Sequence, residues 1–308
     1  MQNEAEIRQI VGREQVRALS ERSDGPGLAF LIGHLATLLV TGSLVTLSRG
    51  TLLVWPAMLL HGIVIVHLFA PFHETTHGTA FRTRWLNDVV SWLSGLAVLL
   101  PPMHFKFEHA AHHSATQISG RDPEMIAMAE TLPGYLYYAT AVPYFIGAFS
   151  SLLRHPFGLF TEEERGFLPA TSLGRVRREA QVMLLVYTLL AAVSIALHSW
   201  AVVVYWLLPR FLGEPVMRLI RMSEHVGRPA VPDLLQNTRT VLTLAPLRWL
   251  NWNMGFHTAH HAIPLVPFFS LPRLHRVLAP HIGDVRTSYL ATQRMLIRNG
   301  CSHRHASS

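Results

Sequence analysis

The stretch FEHAAHHSATQ, Phe107 to Gln117, places His109, His112 and His113 three and four residues apart. On a helix those positions share one face, so the three imidazoles converge. The same spacing returns at His257, His260 and His261, and a two-histidine version, His73 and His77, lies upstream. A buried neutral imidazole needs a hydrogen-bond partner, and three of them within five residues are costly as mere packing. Metal ligation supplies a partner for each. The rest of the chain reads as scaffolding that brings the three clusters together.

Composition sets the surroundings. Half of the 308 residues are hydrophobic, 15% are charged and the mean hydropathy is +0.27, a balance that points to membrane residence. The single cysteine, Cys301, excludes a disulfide framework, an iron–sulfur cluster, a zinc knuckle or a thiolate haem built within one chain. Any metal must therefore be held by histidine and carboxylate.

Residues 4–22 read as one short amphipathic helix, solvated or interfacial, ended by Gly25-Pro26-Gly27. Residues 1–24 are polar and carry both charge signs, which does not read as a signal peptide. Residues 28–48 are uncharged and reach about 30 Å at ~1.5 Å per residue, enough to cross the hydrocarbon core. Arg49-Gly50 turns the chain, residues 51–72 cross back, and His73 follows at once. Residues 89–102 are too short for a span and residues 132–153 are broken by Pro133 and Pro143, so both read as re-entrant or interfacial. Residues 180–209 form an uncharged run of 30. If all clusters build one site they lie on one membrane face, so this run must be a hairpin turning near His198-Ser199, with Arg177, Arg178 and Arg210 snorkelling. Of the 26 Lys and Arg, only Arg49 then falls on the far side, as the positive-inside rule demands. The net charge of +7 is thereby explained without a nucleic acid.

The expected fold is an all-α integral membrane protein with four transmembrane helices in two hairpins and a cytosolic helical cap holding the histidines. It reads as a single domain over 1–308. In order come an amphipathic segment (1–27), the first hairpin (28–72), a cytosolic region with two clusters (73–179), the second hairpin (180–212) and a cytosolic region with the third cluster (213–308). Both termini and the metal site are expected on the cytosolic face of a bacterial cytoplasmic membrane.

Eight clustered histidines are too many for one tetrahedral zinc and fit two metal ions. His225, just past the last span, is a ninth candidate. Glu74, Glu108, Asp122, Glu124, Glu224 and Asn253 lie where each can accept or support an imidazole N–H, with helix capping or solvation as the plainer reading. His34, His61, His67, His155, His198, His275, His281, His303 and His305 read as packing, interfacial or solvent residues, and His104 stays open. His73-Glu74-Thr75-Thr76-His77 also matches HExxH, the helix of zinc metalloproteases, which would leave both distal clusters unexplained. A non-enzymatic metal-binding membrane protein is a further alternative.

HxxxH, HxxHH and a distal HxxHH around four spans resemble the membrane fatty acid desaturase superfamily over roughly residues 30–280. HHSATQISGRDPE, NTRT at 237–240 and NWNMGFHTAHHAIPLVPFFSLPRLH carry the likeness locally. Many members have Glu within the third box, where this chain has Ala259. The resemblance implies a non-haem di-iron centre on the eight box histidines plus His225, with O₂ as co-substrate. It implies oxidation of an unactivated C–H bond, as desaturation of a fatty-acyl lipid or as hydroxylation or ketolation of a lipid, carotenoid or small metabolite. No fused cytochrome b5 domain is expected, so electrons come from a separate ferredoxin, rubredoxin or cytochrome b5-type donor with its reductase.

Overall fold

The computed structural model describes residues 2–298, so Cys301, His303 and His305 lie outside the described residues. The described residues are mostly helical. In order it forms α1 (Gln2–Val11), α2 (Arg13–Leu19), α3 (Asp24–Leu47), α4 (Val54–Val66), α5 (Phe69–Thr76), α6 (Arg84–Val98) and α7 (Pro102–Ala115). Then come α8 (Leu132–Ala139), α9 (Val142–Arg154), α10 (Glu162–Phe167), α11 (Leu173–Ala196) and α12 (Leu208–His225). The last helices are α13 (Ala245–Leu250), α14 (His257–Ala262), α15 (Leu271–Leu278) and α16 (Tyr289–Arg298). Two two-residue strands, β1 (Thr240–Val241) and β2 (Val285–Arg286), pair in parallel.

Among the described residues, three helical stretches are long and apolar enough to cross a bilayer: Asp24–Leu47, Val54–Thr76 and Ala170–Ala196. Two bent pairs raise the number to five if each counts as one span: α6 with α7, bent by 93°, and α8 with the helix after it, bent by 59°. Their surfaces suit lipid rather than water. Leu39 on α3 is 74% exposed and Ile195 on α11 is 75% exposed, each among apolar neighbours.

The second apolar run differs from the reading of residues 180–209 as two short spans. Its first limb starts earlier, at Leu173, and absorbs Arg175, Arg177 and Arg178 into its first turns. Its second limb passes through a π-helical turn, Val203–Leu207, directly into α12. Uncharged length alone could not place these ends, because helices continue through charged turns that reach the interface. The break between the limbs does fall at His198, with φ at +48°.

Helix α12 lies against α4 at two glycines. A Cβ on Gly62 would strike the Pro209 carbonyl, and one on Gly213 would strike the Gly62 backbone. Small residues let two backbones approach this closely. The polar groups on these helices find local partners: His34 Nε2 bonds to the Val64 carbonyl at 2.9 Å, and His61 pairs with Thr41 Oγ1 at 2.8 Å and the Tyr205 carbonyl at 3.0 Å.

The N-terminal segment also differs from expectation. It is two helices broken at Gly12, whose φ is +78°, and it is not merely solvated. Ile7, Val11 and Leu19 are buried in the main apolar core with Phe81, Trp252, Phe268 and Leu274. An amphipathic pattern gives an apolar face but not what covers it.

Candidate metal centre

Four elements deliver the nine histidines. Box 1 rides on α5, which continues α4 past His67 and Leu68. Box 2 occupies α7, aimed by the bend after α6, where Leu99 takes a left-handed conformation (φ +60°). His225 ends α12, and box 3 is α14 itself.

Tertiary hydrogen bonds lock these ends together. Arg239 of the NTRT stretch is 1% exposed. It donates Nη1–H to the Ser223 carbonyl at 2.7 Å and the Val226 carbonyl at 3.2 Å, satisfying the end of α12. Its Nε–H goes to Asp284 Oδ2 at 2.7 Å. Gln117 donates to the His225 carbonyl at 2.7 Å, and Asn237 donates to the Thr116 carbonyl at 3.1 Å. The end of box 2 and the end of α12 are thus tied across more than one hundred residues.

The imidazoles fall into two adjoining groups. Ligand atoms of His73, His77, His109, His113 and His260 lie within 4.8 Å of one another, as do those of His112, His225 and His261. His257 joins the second group, with Nε2 at 2.8 Å from His225 Nε2. The His113 and His261 rings stack at 4.2 Å where the groups meet.

Three of the outer nitrogens bond to oxygen and two more lie near a carboxylate. His109 Nδ1–H donates to Glu124 Oε1 at 2.6 Å and His112 Nδ1–H to Asp122 Oδ1 at 2.8 Å. Thr116 Oγ1 donates to the His112 carbonyl, so it accepts from His261 Nδ1–H at 3.2 Å. His257 Nδ1 lies 3.8 Å from Glu224 and His260 Nδ1 lies 4.0 Å from Glu74. Holding the proton on Nδ1 leaves the Nε2 lone pair inward, the arrangement metal-ligating histidines adopt. The inner nitrogens fit a metal: Nε2 of His73, His77, His112 and His261 is buried with no hydrogen-bond partner among the described residues. Burial and neighbouring rings hold His109, His113, His260 and His261 well below the ordinary imidazole range, and burial with Arg221 and His112 does so for His257, so all stay neutral and able to donate a lone pair.

The expected supporting residues divide. Glu74, Asp122, Glu124 and Glu224 come to the histidines. Glu108 and Asn253 do not: Glu108 faces His104 Nδ1 at 3.7 Å, and Asn253 donates to the Phe268 carbonyl at 3.2 Å from a left-handed backbone (φ +59°). Sequence reasoning missed Thr116, although it lies in the opening stretch, and Arg221. Arg221 lies one helical turn before His225 and ion-pairs with Glu124, and with Glu224 at 3.5 Å. His104 and His155, read as open and as packing, form a separate buried group with Glu164, where His155 Nε2 lies 2.8 Å from Oε1.

The family model for fatty acid desaturases matches residues 50–293, which hold all nine histidines. The chain belongs to the fatty acid desaturase family. Its relatives include the sn-1 acyl-lipid omega-3 desaturase (ferredoxin) of Nostoc sp. (strain 36), 22% identical over 73% of this chain and 67% of the relative. The human sphingolipid delta(4)-desaturase/C4-monooxygenase DES2 is 28% identical over 82% of this chain and 72% of the relative. The fatty acid desaturase of Bacillus subtilis (strain 168) is 22% identical over 74% and 68%. Members of this desaturase family are oxidoreductases, and the chain is one, which removes the metalloprotease and the non-enzymatic readings. In this desaturase-family chain the Glu of HETTH is fully buried, and its Oε2 accepts from Thr79 Oγ1 at 2.9 Å and Phe268 N–H at 3.3 Å. A general base for hydrolysis needs an open position beside it.

Proposed function

We propose that the protein is an O₂-dependent di-iron lipid desaturase of the membrane. The observation that carries this reading is the division of nine imidazoles, seven buried and His77 and His113 half-buried, into a group of five and a group of four, with oxygen acceptors behind His109, His112 and His261. His73, His77, His109, His113 and His260 would hold one iron, and His112, His225, His257 and His261 the other. Bound iron supplies, with O₂ and electrons from a separate donor, an oxidant strong enough to take hydrogen from an unactivated C–H bond. The chain's own residues fix the ligand tautomers through Asp122, Glu124 and Thr116, keep bulk water away by burial, and position the ends of α7 and α12 through Arg239 and Gln117.

In this reading the chain is one domain with four spans in two hairpins, α3 with α4–α5 and α11 with the limb ending in α12. The histidines, both termini and the helical cap then share the cytosolic face, where a ferredoxin-, rubredoxin- or cytochrome b5-type donor can reach them. A second reading, hydroxylation, is favoured by one observation: a relative that aligns over 82% of this chain at 28% identity carries both desaturase and monooxygenase in its name. Metal analysis of purified protein is expected to give about two iron per chain, since imidazole sites of this kind suit iron. A single zinc per chain would refute the proposal. Mass spectrometry of lipids from a host expressing the protein, against a His112→Ala control, separates loss of two hydrogens from gain of one oxygen.

A further inference from the structure

A second buried group of ligand-type side chains stands apart from the nine histidines. His104 on α7, His155 just past α9 and Glu164 on α10 each place one nitrogen or oxygen within 4.8 Å of the others, and none of the three belongs to either imidazole group. His155 is fully buried, and His104 and Glu164 are each 8% exposed. Local structure sets each in place. Thr161 and Glu164 form a capping box that fixes Glu164 in the first turn of α10. Glu179 of α11 takes the Met103 N–H at 2.6 Å and so anchors the start of α7, where His104 stands.

The carboxylate is firmly oriented. Its Oε2 accepts from Thr161 N–H at 2.6 Å and Arg154 Nη1–H at 3.0 Å, and its Oε1 accepts from Arg154 Nη2–H at 3.0 Å and His155 Nε2–H at 2.8 Å. An ion pair beside a helix cap accounts for Glu164 and Arg154 but not for the imidazoles. His104 Nε2 is buried with no hydrogen-bond partner among the described residues, 3.8 Å from Glu164 Oε1, and His104 Nδ1 lies 3.7 Å from Glu108. Both separations are too long for hydrogen bonds. The two rings lie 4.8 Å apart, and His155 Nδ1 is buried and bare as well. Bare buried nitrogens are costly, and a bound cation removes that cost for His104. Donor atoms about 2.0–2.1 Å from a tetrahedral ion stand about 3.3 Å apart, and the 2.8 and 3.8 Å separations from Glu164 Oε1 lie on either side of that spacing. Burial beside His155 holds His104 down to about 3, so it is neutral and keeps its lone pair. Glu108 then lies on the outer, Nδ1 side of this ring, where a supporting carboxylate belongs.

We propose that His104 Nε2, His155 Nε2 and Glu164 Oε1 bind one divalent first-row transition ion of the zinc class, separate from the nine-histidine centre. Three protein ligands leave one position for water. The ion takes the place of the His155 Nε2 proton, which moves to Nδ1. The cation facing it is Arg154, whose side chain is 28% exposed and keeps contact with water. Bound there, the ion clamps the start of α7 to the corner between α9 and α10 and so steadies the helix that carries box 2. This inference does not depend on the reaction at the nine histidines.

The test uses the full chain in detergent, stripped with a chelator, equilibrated with Zn²⁺ alone and desalted before elemental mass spectrometry. The wild type is expected to retain about one zinc more per chain than Glu164→Gln or His104→Gln, since each variant removes one of the three protein ligands. Glu163→Gln, at an exposed position of α10, should match the wild type. Hydrogen exchange of the wild-type protein gives a reading that needs no variant. Zinc at about ten times its dissociation constant should slow exchange in residues 159–168 about tenfold. That segment holds none of the nine histidines, so zinc bound among them does not account for slowing there. Glu164→Gln should lose the slowing. Equal zinc in the wild type and both ligand variants would overturn the proposal, leaving an ion pair with a bridging water. Unchanged exchange in residues 159–168 on adding zinc would overturn it equally.

Discussion

At the scale of single residues, the site depends on where each imidazole keeps its proton. Asp122 Oδ1 takes the His112 Nδ1–H while Oδ2 takes the Gln117 backbone N–H, so one carboxylate orients a candidate ligand and the turn that follows it. Asp122→Asn is expected to weaken iron binding by about 10–100-fold, as loss of a metal-supporting hydrogen bond does, with little change in helicity by circular dichroism. Titration with Fe²⁺ checks the affinity; unchanged affinity would remove Asp122 from the site. The neutral histidines also set a pH dependence. Burial depresses His257, His260 and His261 in the folded protein, whereas they titrate near 6.5 when unfolded. Below that value the unfolded chain takes up protons that the folded chain refuses, so stability falls as pH falls from about 6.5 toward the depressed values. The metal-free protein should therefore unfold at a lower temperature at about pH 5.5 than at about pH 7.5. A flat or rising profile would contradict buried neutral imidazoles.

At the scale of elements, what the sequence displays and what it hides separate cleanly. The HxxHH spacings predict one-faced helices, and α7 and α14 are those helices. The 93° bend between α6 and α7 was not legible as an angle. Pro101 and Pro102 mark a break, but the direction comes from Leu99 and from side chains distant in sequence. Tyr187 Oη–H, Trp206 Nε1–H and Tyr144 Oη–H donate to the Leu96, Ala97 and Val98 carbonyls at 3.0, 2.9 and 2.8 Å, satisfying the end of α6. The contact of α4 with α12 was equally hidden, because a glycine in an apolar run does not announce which backbone it meets. Gly62→Val should cost about 1–3 kcal/mol by overpacking and disturb His225 at the end of α12. Gly166→Val is the control, with nothing within 4 Å of its added Cβ. Differential scanning of the two proteins in detergent should show a lowered midpoint for Gly62→Val only; equal midpoints would mean that α4 and α12 tolerate separation.

At the scale of the whole molecule, the two hairpin turns and the histidines are proposed to lie on opposite faces. In a Cys301→Ser background, Ser48→Cys and Ser199→Cys should react with an impermeant maleimide from outside intact cells. Ser119→Cys, beside box 2, should react only after permeabilisation. Labelling of Ser48→Cys and Ser199→Cys from opposite sides would break the four-span reading. The sequence alone determined the candidate ligand types and their local grouping, since helical spacing fixes which imidazoles share a face. It also determined an apolar, cysteine-poor chain suited to a membrane and to histidine-held metal. Tertiary structure alone decided which histidines share a group, as His260 joining His73 and His77 while His261 joins His112. It decided that Glu124 and Asp122 stand behind His109 and His112 while Glu108 turns toward His104. Neighbours along the chain follow from backbone geometry, whereas groups brought together across more than one hundred residues depend on how α4, α7, α12 and α14 bury one another, and no local periodicity encodes that.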